Sequence, residues 1–251
     1  MTALAQERTR RLTATHLIFV FGIWGFLVTG LISTVVILGA KPIPRAVILM
    51  ADGLVLLWII IGGIGMRLIR DHARRFIVGM PLNWRLKFVL FCTLLALIEE
   101  AITTTMTNLA PLFGVPIGAA YITASANYLD VVCRHSVIVF VPMFVAWAFL
   151  LSRYDLSPAA VFILFGLTGL LAETGSFGLQ NLGNAGFWVF VYGLMVYLPA
   201  YCIPQVRPAK KPPWWHYPLA IILPFVFVIP VAGIVGYLHP VKIHFPPIQP
   251  G

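Results

Sequence analysis

Long apolar runs alternate with short polar segments along the whole chain. Seven runs, at roughly 16–39, 46–68, 86–108, 130–151, 158–178, 184–203 and 217–238, are long enough to cross about 30 Å of hydrocarbon. The fifth is interrupted by Glu173 and Gly175. Period-two alternation is absent, which argues against a β-barrel, and no internal repeat is visible. The pattern predicts an all-α fold, a polytopic transmembrane helical bundle of about seven spans forming a single integral membrane domain over 1–251. One connection stands out. Residues 109–129 are apolar, hold Pro111 and Pro116, and read as a re-entrant or surface-lying segment that covers something.

Composition agrees with the pattern. Hydrophobic residues make up 60% of the chain and charged residues 10%. A soluble domain carries about 45–50% and about 25%. So few charges exclude a soluble enzyme, and so much apolar surface excludes disorder. The net charge of +9 matters only after it is sorted by side of the membrane. With a cytoplasmic N-terminus, Arg8, Arg10, Arg11, Arg67, Arg70, Arg74, Arg75, Arg85, Lys87, Arg153, Arg207, Lys210 and Lys211 fall on the cytoplasmic side. Only Lys41, Arg45, Arg134 and Lys242 fall on the other. This asymmetry places the C-terminus outside. The basic face meets lipid headgroups, so the expected partners are the bilayer and a membrane-protein or peptide partner, with no nucleic acid. A multi-pass protein of the cell (plasma or inner) membrane is expected. The run after the N-terminal arginines is too long for a cleavable signal and reads as a retained first span. Pro212-Pro213-Trp214-Trp215-His216-Tyr217 reads as an interfacial anchor.

The chemistry is sought among charges inside the spans, which are costly in hydrocarbon. Asp52, Glu99, Glu100 and Glu173 lie within predicted spans. At about 1.5 Å rise per residue, Glu99 lies about 20 Å from the cytoplasmic end of its helix, and Glu173 about as far along its own. Asp52 sits about 10 Å below the outer surface. Arg134 and His135 enter the same slab from outside. Glu99 and Glu100 point about 100° apart, so both are buried only if their helix is largely surrounded. Thr103 and Thr104 continue their two faces, and Thr107 and Asn108 extend the stripe. Two such carboxyls titrate as a coupled pair. Arg134 is a counter-ion for a glutamate or for Asp130 one turn back. His135 is a proton carrier, a general base, a metal ligand or a packing histidine. Around Glu173 the polar context runs on through Thr174, Ser176, Gln180, Asn181 and Asn184, as at the mouth of an outward cavity.

Other chemistry finds less support. His239 and His244 in the tail either fold over the same mouth or are simply solvated. HExxH and related spacings are absent, so no metal site and no cofactor is expected. GxSxG, P-loop and dinucleotide fingerprints are absent too. Cys92, Cys133 and Cys202 lack CxxC spacing and read as small core residues. Gly62, Gly63 and Gly65 suggest close helix packing.

The Glu99-Glu100 pair resembles the opening of the motif set of the CAAX-protease and bacteriocin-processing superfamily of intramembrane glutamic peptidases. That set continues with an Arg four residues after the second Glu, a Phe-xxx-His element and a later His-xxx-Asn/Asp. The resemblance covers roughly residues 85–190. Thr104 stands where the Arg would be, Val131 replaces the Phe, and no histidine occurs between 136 and 215. The resemblance implies a bundle of about seven or eight helices. It also implies an intramembrane hydrolase in which Glu99 or Glu100 and His135 activate water, or a non-proteolytic relative. Two alternatives stand beside it: a proton- or cation-linked transport or binding protein, and a membrane subunit or assembly factor of a larger complex.

Overall fold

The computed structural model describes residues 3–39, 41–204, 206–241 and 243–245, with side chains from Thr13 onward. Lys242 and the side chains of Glu7, Arg8, Arg10 and Arg11 therefore lie outside the described residues. The chain is all-helical, and strand pairing among the described residues is limited to three isolated bridges. Helix α1 spans Ala3–Gly39. A continuous rod follows, made of α2 (Pro42–Leu54), a π-helical stretch (Val55–Gly62) and α3 (Gly63–Gly79). Next come α4 (Trp84–Asn108), α5 (Tyr128–Arg134), α6 (Val137–Arg153), α7 (Pro158–Phe177), α8 (Ala185–Tyr201) and α9 (His216–Leu238).

Five helical stretches are long and apolar enough to cross a membrane, six if the bent pair of α5 and α6 counts as one. The chain is thus built as a multi-pass membrane protein. Helix α4 is not among these stretches; it carries Arg85, Lys87, Glu99 and Glu100 and ends in a threonine-rich turn. Local chemistry sets the helix ends. Asn83 and Ser157 cap α4 and α7 by accepting from Arg85 N and Ala160 N, and Asn127 caps α5. Lys87 Nζ donates to the carbonyls of Ile77, Val78 and Met80, covering the orphan acceptors at the end of α3.

The core lies between α4, α6, α7, α8 and α9, around Trp58, Phe144, Trp147, Phe165, Met195 and Leu198. Close packing there rests on small residues. A Cβ on Gly186 of α8 would lie 2.3 Å from the backbone of Phe21 and Gly25 on α1. Gly166 and Gly169 of α7 face Val189 and Tyr192 of α8, and Gly193 receives Phe162. The glycines expected to pack closely behave differently. Gly65 has nothing within 4 Å, and Gly63 meets only Leu194 at 3.6 Å. Hydrophobic flanks alone do not say which face of a helix meets a neighbour.

Segment 109–127 folds over the ends of α2 and α4 through a second core of Ala46, Met50, Met106, Ala110, Val115 and Ala120. The strand-like tail at 243–245 docks onto this segment. His244 N donates to Ala124 O at 2.7 Å, and Phe245 stacks on Tyr121 with ring centroids 4.8 Å apart. Gly118, at φ +89°, allows the approach, since a Cβ there would lie 2.9 Å from Phe245. Trp214 and Trp215 are exposed next to α9, as an interfacial anchor requires.

Candidate functional site

Glu99 and Glu100 are both buried, at 4% and 8% exposure. Two adjacent helical positions can both be covered because α2, α6 and α8 all pack on α4. Thr103 Oγ1 donates to Glu100 Oε2 at 3.2 Å and lies within reach of the Glu99 and Glu100 carbonyls. Ser136, at the start of α6, reaches the Glu100 carboxyl as well. Thr104 is buried, and its hydroxyl has no partner among the described residues.

Glu173 joins them from α7. The carboxyls of Glu99, Glu100 and Glu173 are close enough to act on one another electrostatically. Tyr192 of α8 completes the group. Its hydroxyl donates to Glu173 Oε1, and it feels all three carboxyls. Asn181 Nδ2 donates to Glu173 O at 3.1 Å, fixing the chain just past the end of α7. Asn184 faces α1 instead, accepting from Thr29 Oγ1 at 3.3 Å. Among the described residues, no ion pair involves Glu99, Glu100 or Glu173.

Asp52 stands apart from this group. Its carboxylate accepts from Ser33 Oγ at 2.7 Å, across the α1–α2 contact. Arg134 is not a glutamate counter-ion, because its guanidinium donates to Asp130 Oδ1 at 3.0 Å. The i, i+4 spacing makes that pair local and cheap to form, whereas the glutamates are enclosed by other helices.

His135 lies where α5 ends and the chain bends by 44° into α6. Its ring faces outward neighbours rather than the glutamate pair. His135 Nε2 is 3.8 Å from Asp130 Oδ2, and His244 Nδ1 is 2.9 Å from the same oxygen. The two imidazoles meet edge to face, with centroids 5.1 Å apart. The tail histidine is therefore folded against the bundle rather than solvated. Ser125 and Arg134 hold Asp130 in place.

Tyr192 and Ser136 carried no signal in the sequence, while Glu99, Glu100, Glu173, Asp130 and His244 were all visible there as single residues without their contacts. Tyr192 sits inside an apolar run, Ser136 gains its place only through the bend, and His244 through a docked tail. A cavity of about 50 Å³ beside Trp84, Lys87 and Cys202 lies about 18 Å along α4 from Glu99 and serves neither cluster. Comparison with protein-family models, curated proteins and solved structures gives no significant match.

Proposed function

We propose that this chain is a seven-span protein of the plasma or inner membrane that takes up protons or a small cation at an intramembrane carboxyl cluster. The N-terminus is cytoplasmic and the C-terminus outside. The observation that carries the reading is the burial of Glu99 and Glu100 on α4 against α8, whose Tyr192 donates to Glu173 of α7, with no ion-paired base among the described residues. Ionisable groups in a membrane interior face one another where they bind or relay charge. Three carboxyls supply oxygen donors, and the Tyr192 and Thr103 hydroxyls orient two of them.

The packing of loop regions supports the alternating topology. Tyr201 donates to Asp71 at 2.5 Å, and Arg207 pairs with Asp155 at 2.8 Å, joining segments all assigned to the cytoplasmic side. The 109–127 segment and the 243–245 tail, both assigned outside, meet each other.

The hydrolase reading needs His135 to work with Glu99 or Glu100. The ring instead engages Asp130 and His244, and Glu100 engages Thr103 and Ser136, so the carboxyl cluster favours cation or proton binding. The test is reconstitution of the full chain into liposomes carrying a pH-sensitive dye, with imposed proton and sodium gradients. Wild type is expected to dissipate a gradient, and Glu99→Gln, Glu100→Gln and Glu173→Gln are expected to abolish that flux while remaining monodisperse. Equal traces from wild type and the triple Gln variant sink the proposal. Flux unaffected by the variants, together with a peptide-processing activity lost in Glu100→Gln, transfers the assignment to the hydrolase.

A further inference from the structure

We infer that Asp130, His135 and His244 form a binding site for a divalent first-row transition metal, separate from the carboxyl cluster. The three side chains each present one donor atom, and these atoms lie within 4.8 Å of one another. Zn²⁺ bonds imidazole nitrogen and carboxylate oxygen at about 2.0–2.1 Å, so tetrahedral ligands stand about 3.3 Å apart. The observed separations of 2.9 Å and 3.8 Å bracket that value. Both rings must move to bring all three donors to that spacing, since the donor atoms now lie within 4.8 Å of one another.

The donor set is that of zinc and its neighbours. Two imidazoles and one carboxylate suit Zn²⁺ and other first-row ions, while Mg²⁺ and Ca²⁺ prefer oxygen alone. The carboxylate is pre-aimed. Arg134 occupies Asp130 Oδ1 and leaves Oδ2 facing both rings. Such orienting partners are typical of metal ligands. The His135 ring nitrogen supplies an independent sign. Nε2 is buried and has no hydrogen-bond partner among the described residues. A buried imidazole nitrogen left unsatisfied costs free energy, and a bound cation accounts for it.

The third donor is held by its own set of contacts. The His244 backbone is bonded to Ala124, and Phe245 is stacked on Tyr121 beside Gly118. Three protein ligands leave a fourth position open to water or to a passing ligand.

The experiment uses the purified full chain in detergent with its purification tag removed and Zn²⁺ as the only added metal. Wild type is expected to bind one Zn²⁺ per chain by isothermal titration. It is also expected to give the visible ligand-field band of tetrahedral Co²⁺ when loaded with cobalt. His244→Ala, His135→Ala and Asp130→Asn are each expected to weaken binding by more than about a hundredfold and to remove the cobalt band, beyond the roughly 10–100-fold loss that an orienting partner such as Arg134 commands. Glu99→Gln with Glu100→Gln is expected to leave both readouts intact, which separates this site from the carboxyl cluster. His244 sits on the docked tail outside the bundle, so His244→Ala decides the matter even if His135→Ala does not fold. Zinc binding unchanged in His244→Ala, or lost only in the glutamate variant, or absent from wild type, overturns the proposal.

Discussion

Replacing Gly186 by alanine tests whether the α1–α8 crossing is a close backbone-to-backbone contact. The added methyl would stand 2.3 Å from Gly25 N and from Phe21 O. An unstrained carbon–nitrogen contact needs about 3.4 Å, so the two backbones must separate by about 1 Å along the crossing. Neither neighbour is a flexible side-chain tip, and the displaced atoms belong to a second helix. Overpacking of this kind costs about 1–3 kcal/mol. At about 2–4 °C per kcal/mol for a chain of this size, Tm should fall by about 2–12 °C. Gly30 on α1 is the matched control, because nothing lies within 4 Å of its virtual Cβ. Gly30→Ala should leave Tm unchanged or raise it slightly, since alanine favours helix by about 0.5–1 kcal/mol. The assay is thermal unfolding of both variants in one detergent, followed by tryptophan fluorescence. Equal Tm values for wild type and Gly186→Ala, or a larger loss in Gly30→Ala, would refute the packing argument.

Two further outcomes follow from the same contacts. Tyr192→Phe removes the phenol that donates to Glu173 and should cost about 1–3 kcal/mol of stability; a Tm unchanged from wild type would show that the carboxyl has another donor. Cys133 is exposed while Cys92 and Cys202 are buried, so an impermeant maleimide applied to intact cells should label one thiol per chain, and Cys133→Ser should abolish the signal; labelling only in inverted vesicles would reverse the proposed orientation.

The helices were legible because each hydrophobic run needs its backbone bonds satisfied within itself, and that requirement is local. Helix rise alone set the expectation that Glu99, Glu100 and Glu173 share one depth. It could not say whether they met, since depth leaves rotation about each helix axis open. The same gap explains Asp52, which has the right depth but turns to Ser33 on α1. It also explains the glycines, where Gly25 and Gly186, unremarked in the pattern, carry the close approach. Arg134 answered to the shortest available range, one turn back to Asp130. His244 was the least legible. Its place depends on a contact with Ala124 across more than a hundred residues, and a histidine in a polar tail carries no periodic signal.

The docked tail also has a consequence for the order of assembly. Chains emerge N-terminus first, and His244 follows α9, so Asp130 and His135 are made and packed well before their third companion exists. A nascent chain halted before α9 holds Asp130 with Arg134 and His135 alone. The cluster of Asp130, His135 and His244 therefore closes late in synthesis, once α9 is made and the strap beyond it has met Ala124. Three side chains separated this way in sequence come together only when the chain is nearly finished, which a constellation drawn from a single helix would not require.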